Sequence, residues 1–72
     1  MADKSPLVQA AAAENPAAEP AQLVAPFMHD DWVIRQSVMR NPSITREMLM
    51  IGSRDPDERV AKAAQIALED LG

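Results

Sequence analysis

The sequence predicts an all-α chain of short helical units stacked side by side. Three observations lead there. Alanine is abundant and runs of β-branched, strand-type residues are absent, a composition that favours helix and close helix packing. Proline and capping residues cut the chain into five helical segments. A shift of 26 positions then superimposes that punctuation, the caps and the apolar columns on themselves.

The elements follow in order. Ser5-Pro6 reads as an N-cap followed by proline at the first helical position, with Met1–Ser5 fraying. A first helix from Leu7 to Glu14 ends at Asn15-Pro16, because the residue before proline is pushed out of the α region. Glu19-Pro20 opens a second, shorter helix to Met28. Asp30 caps a third, Asp31 to Arg40, which Asn41-Pro42 ends in the same manner. Ser43 or Thr45 caps a fourth, closed by Gly52 as a C-cap. Asp55-Pro56-Asp57-Glu58 starts the last helix, with Asp55 as N-cap, proline at the first position and Glu58 completing a capping box. That helix runs to Leu71, and Val60, Ala64, Leu68 and Leu71 form its apolar stripe. Ile34 and Val38 with Met39 and Val33, then Leu23, Val24 and Phe27, then Met48, Leu49 and Ile51, make the corresponding stripes on the other helices.

The repeat rests on the two Asn-Pro pairs. With Asn15-Pro16 set on Asn41-Pro42, Leu23 falls on Leu49 and Asp31 on Asp57. Val8, Ile34 and Val60 form one apolar column, and Ala12, Val38 and Ala64 another. The single domain, residues 6–72, therefore divides into about two and a half units of roughly 26 residues, at 6–30, 31–54 and 55–72. A unit of that size does not bury its own apolar face, so neighbours must stack.

Asp31, Ile34-Arg35, Val38 and Asn41-Pro42, followed by Glu47, Met48, Leu49 and the acidic Asp55, make the chain resemble the leucine-rich variant repeat family. The segment from Asp55 through Val60 to Ala67-Leu68 is also similar to HEAT-like repeats. The resemblance spans residues 7–71 and implies a right-handed superhelix of alternating α and short 3₁₀-like segments, used as a scaffold or binding surface. Ala61 departs from an expected arginine and Arg46 from a common proline. Ala67-Leu68 replaces the next Asn-Pro, as suits a terminal unit. The cysteine-rich segment of iron–sulfur relatives has no counterpart, so no cofactor is implied.

Composition narrows the function. With 72 residues the core is small. No cysteine and a single histidine leave little for a disulfide, a thiolate site or a metal. No apolar run approaches the roughly 18 residues that span a bilayer, and the N-terminus lacks a signal-peptide pattern. The reading is of a soluble cytoplasmic chain. Its net charge of −4 argues against nucleic acid as partner. The inventory for nucleophilic catalysis is missing. His29 reads as a loop or cap residue, and Asp30, Asp31, Asp55 and Asp57 as helix caps rather than metal ligands, because calcium-loop spacing is absent.

What remains is a non-enzymatic protein-interaction module, with a structural or regulatory homo-oligomeric subunit as the alternative. A third reading, nucleic-acid binding through Arg35, Arg40, Arg46, Arg54 and Arg59, is disfavoured by charge. Asp31 and Arg35 are positioned for an i,i+4 pair. Trp32 lies off the core stripe, and with Met28, Met39 and Arg35 it forms the candidate partner-binding set. The competing view of Trp32 is a cover over the seam between helices. Asn15, Pro16, Asn41, Pro42, Ile34, Val38, Leu49, Asp55, Val60 and Leu68 carry the repeat.

Overall fold

In the computed structural model, which describes residues 6–71, the described residues form helices joined by short turns. The expected Ser5 cap and the frayed 1–5 segment lie outside the described residues. α1 spans Pro6–Glu14, a 3₁₀ turn Pro20–Leu23 leads directly into α2 (Val24–Phe27), and α3 spans Trp32–Met39. α4 is Arg46–Gly52 and α5 is Glu58–Leu71. α3 packs against α1 on one side and α5 on the other, α2 bridges α1 and α3, and α4 lies on α5. The result is a flat body of 39 × 25 × 15 Å.

The second helix is split where one continuous segment was expected. Glu19 N donates to Gln22 Oε1 at 2.8 Å, and Gln22 N bonds back to Glu19 O at 2.8 Å. These tight bonds set the first turn as 3₁₀. Pro26, buried in α2, has no N–H to extend the earlier ladder.

The caps shift by a residue or two from their expected positions. Asp31, not Asp30, caps α3, its Oδ1 accepting from Val33 N at 3.0 Å. Of the two expected candidates for α4, Thr45 is the cap, accepting from Met48 N. Asp57 rather than Asp55 caps α5, accepting from Arg59 N at 2.9 Å. Asp55 sits one step earlier and takes Asp57 N at 2.8 Å, leaving Pro56 in the bend outside the helix. Gly52 is the last residue of α4 and not its left-handed cap, since Ser53 follows in right-handed geometry. Its role is space. A Cβ there would run into the Met39 thioether and touch Ala64.

The 26-residue shift is visible in the hydrogen bonds. Asn15 N bonds to Ala12 O and Ala18 N to Asn15 O, as Asn41 N does to Val38 O and Ile44 N to Asn41 O. Asn15 Oδ1 accepts from Ala17 N, as Asn41 Oδ1 does from Ser43 N. The caps match too. Ile34 N and Arg35 N bond to Asp31 O, and Val60 N and Ala61 N to Asp57 O. Side-chain acceptors in these turns explain why Asn and Asp occupy them.

The core holds Ala13, Ala18, Leu23, Ile34, Val38, Met39, Leu49, Val60 and Ala64. Each expected stripe is buried only on the side where a neighbour exists. Val33, Val24 and Ile51 face outward. Val8, the first of its column, is 51% exposed, left uncovered by the α3, α2 and 3₁₀ segments that pack against α1. At the other end Leu68 is half-buried and Leu71 is exposed.

Candidate interaction surface

Two places carry side chains that the packing does not explain fully. They lie at opposite ends of α3 and α5.

At the N-terminal ends, Asp31 and Asp57 hold the first turns and set Trp32 and Arg59 side by side. The Arg59 guanidinium lies over the Trp32 ring, 3.5 Å from its centroid, a cation–π contact. Arg59 reaches that position because Asp57 holds its fork, with Nε on Oδ1 at 3.0 Å and Nη2 on Oδ2 at 2.9 Å. The side-chain hydrogen bond from Arg59 is the largest cause that brings the Asp57 carboxyl down to about 2. The same bond raises the Arg59 pKa further. Trp32 is partly buried against the core on one side and covered by Arg59 on the other.

Arg35 lies deeper in the same end. It grips Asp55 through two bonds, Nε–Oδ2 at 2.8 Å and Nη2–Oδ1 at 3.1 Å. Its Nη1 donates to His29 O and Asp30 O, each at 2.8 Å. Only 16% of the Arg35 side chain and 9% of the Asp55 side chain remain accessible. The expected Asp31–Arg35 pair does not form. Asp31 is committed to the α3 cap, and Arg35 spans from the loop before α3 to the turn before α5. His29 Nδ1 accepts from Asp31 N at 3.0 Å, so the ring serves the turn. Ala61, at the position equivalent to Arg35, makes no such clamp.

These placements revise the candidate set. Met39 is 1% exposed and packs over Gly52, so it belongs to the core and not to a partner surface. Arg35 is spent on Asp55 and two carbonyls and offers no free charge at a rim. Trp32 is half-buried. Met28, 74% exposed, is open to solvent. Of the arginine row, Arg35 and Arg59 are bound to aspartates and Arg40 lies at the far ends of the helices.

At those far ends the structure opens a groove that the sequence reading missed. It encloses about 410 Å³ between the Asn41–Ile44 turn and the C-terminal half of α5. Ile44 and Leu49 form one wall, and Ala63, Ile66, Ala67 and Leu71 the other, with Arg40 and Asp70 as the charged residues. It exists because α5, 14 residues long, continues straight where α3, 8 residues long, turns. The one sequence signal was Ala67 in the asparagine column.

Asn41 separates the two ends. It is 4% exposed, and its Nδ2 donates to Ala13 O at 2.7 Å and Asn15 O at 2.9 Å. Ser43 Oγ adds a bond to Pro16 O at 3.0 Å. With Oδ1 taken by Ser43 N, the buried carboxamide is satisfied on both its atoms. No group of three metal-ligating side chains occurs among the described residues, nor does any described helix have the length and apolarity to cross a membrane.

No family model matches this chain. No curated protein and no solved structure matches it either.

Proposed function

We propose that the chain is a non-enzymatic interaction module built from helical repeats of the leucine-rich variant kind, and that it binds another protein through the groove beside Asn41. The observation that carries this reading is the half-open apolar groove of about 410 Å³ bounded by Arg40 and Asp70. Its size falls in the range of binding clefts, and its apolar walls with a few polar groups match what partner segments use. The 26-residue recurrence of turn and cap bonds supports the repeat architecture and, with it, the right-handed stacking that the resemblance implies. His29 and the aspartates are occupied in turns and caps, which supports a role without catalysis. The acidic, cysteine-free composition is in keeping with a cytoplasmic setting.

The test is affinity capture from the native cell with the wild type and with Ile66→Glu. A charge in the wall of the groove should abolish retention of the partner while helicity is unchanged. Equal retention by both proteins would place the binding surface elsewhere.

A second reading is self-association through α1, where Leu7 is 82% and Val8 51% exposed. Sedimentation equilibrium separates the two. A strict monomer at high concentration removes the second reading and leaves the first.

A further inference from the structure

A smaller cavity lies next to the groove. It encloses about 290 Å³ between the ends of α1 and α3 and is lined by Ala13, Glu14, Ser37 and Arg40. Moved on by 26 positions these become Met39, Arg40, Ala63 and Ile66, which line the large groove. The same feature is therefore formed once between α1 and α3 and once between α3 and α5, and the two cavities share Arg40. They differ in chemistry. Ser37 and Arg40 of the smaller one are replaced by Ala63 and Ile66 in the larger, so the first is polar and the second apolar.

The charges at this end are unbalanced. A helix C-terminus carries partial negative charge and favours a cation. α3 has one, since Arg40 is its C-cap residue. α1 and α5 have no basic residue in the last turn and carry Glu14, and Glu69 with Asp70, there instead. The sequence holds no lysine or arginine between Lys4 and Arg35. Glu14 and Asp70 are exposed, and neither forms an ion pair among the described residues.

We infer that the occupant is an extended, basic segment of a separate polypeptide that crosses both cavities, with an apolar side chain in the large groove and a lysine or arginine three residues away beside Glu14. The inference rests on the groove being the binding surface and names what that surface selects. Packed helices lie about 8–10 Å apart, and three residues of extended chain cover about 9 Å, so side chains at that spacing enter successive cavities. A second cation on the other side of the apolar residue lies toward α5 and Asp70. Arg40 already serves the end of its own helix, whereas the carboxylates of α1 and α5 gain from a partner of opposite sign. Lys4-Ser5-Pro6-Leu7 of a second copy has the same order of residues, but Pro6 and Leu7 are built into α1 and are not extended.

The experiment is an NMR titration of the full ¹⁵N-labelled chain with three acetylated, amidated peptides. One is Lys-Pro-Pro-Leu-Pro-Pro-Lys, which presents a lysine three residues from the leucine in either chain direction. The others have Glu for both lysines or Ser for the leucine. The first should shift amides within residues 13–14, 37–44 and 63–71. It should bind about fivefold more tightly than the glutamate peptide, the scale of exposed ion pairing, and more tightly than the serine peptide. Glu14→Gln, an exposed change, should weaken the lysine peptide by about twofold or more and leave the glutamate peptide no weaker. Equal binding of the lysine and glutamate peptides, or tighter binding of the latter, overturns the basic occupant and leaves the groove as a binding surface. Unchanged binding of the lysine peptide by Glu14→Gln overturns the crossing of both cavities. No binding by any peptide overturns the groove as well. Concentration-dependent shifts at the same residues without peptide, removed by Leu7→Ser, would make the occupant a second copy, and the inference of a separate partner would fail.

Discussion

Asn41 donates its side-chain amide to the main-chain oxygen of Asn15, 26 positions earlier, at 2.9 Å. The residue that turns the chain after α3 therefore also fastens that turn to the end of α1. Two tasks fall on one side chain, because the carboxamide has an acceptor for its own turn and donors left over for the neighbour.

Asn41→Ala should cost about 2–4 kcal/mol, because it strands the buried Ala13 O and the half-buried Ser43 N. In a chain of this size that is a fall of about 10 °C or more in Tm. Asn41→Asp should cost at least as much, since a carboxylate would face two carbonyls. Asn15→Ala loses only an exposed turn bond and should cost less than about 1 kcal/mol. Thermal melts of the three variants give the order. Equal effects at 15 and 41 would show that the Asn41 amide does not hold that turn to α1.

Arg35 and Asp55 clamp the other end. Because the pair is largely buried, removing one partner leaves the other charge without compensation. Arg35→Met and Asp55→Ala should each cost about 3 kcal/mol, and the double variant much less than their sum. Arg35→Lys should not rescue, since an ammonium does not reproduce the fork that meets both carboxylate oxygens and two carbonyls. Urea denaturation of the four proteins closes the cycle. Additive costs would mean that the two side chains act independently.

The sequence was readable wherever the causes were local. Pro16 and Pro42 end helices through their own rings, and Ile34, Val38, Val60 and Ala64 reveal a face by their spacing. Legibility stopped where a side chain has a distant partner. Arg35 pointed to Asp31 one turn away, whereas its real partner lies 20 positions on. Asn41 was legible as a turn residue but not as a rung, since its acceptors are 26 and 28 positions back. Met39 looked like surface because nothing local showed that Gly52 leaves room for its thioether. The groove is marked by what Ala67 lacks, and a missing side chain leaves no periodic signal.

Gly52→Ala tests that close approach. On propensity alone, alanine in a helix should stabilise by about 0.5–1 kcal/mol. Here the new methyl meets the Met39 sulfur, and overpacking should turn the gain into a loss of about 1–3 kcal/mol. Met39→Val in the same chain should recover part of that loss by vacating the space. A stabilised Gly52→Ala would mean that Met39 moves aside at little cost.

Trp32 is held between the core and Arg59. Trp32→Ala should cost about 2–3 kcal/mol, less than a fully buried tryptophan because part of its surface is already wet. Arg59→Ala should uncover the ring and, at neutral pH, lower the Tm by no more than the modest amount that Asp57→Asn does. Acrylamide should then quench the tryptophan fluorescence more steeply than in the wild type. Unchanged quenching would show that Arg59 does not cover the indole in solution.

The same arginine makes the first turn of α5 sensitive to acid. Asp57 is held at about 2 in the folded chain, against 3.8 for a free aspartate, chiefly by the Arg59 hydrogen bond. A carboxyl with a depressed folded-state pKa binds protons more readily when unfolded. Its contribution is therefore complete above the unfolded value and is lost as pH falls from about 4 through about 2. Asn at this position retains the cap, since its side-chain oxygen still accepts from Arg59 N, but carries no charge to titrate. The wild type and Asp57→Asn should differ most in Tm at neutral pH and converge as the pH approaches 2. The two chains differ at a single carboxyl, so the difference isolates Asp57. Raised salt should shrink the difference at pH 7, because the pair is open to solvent. Parallel pH–Tm curves that never converge would show that Arg59 does not hold the Asp57 carboxylate in its charged form.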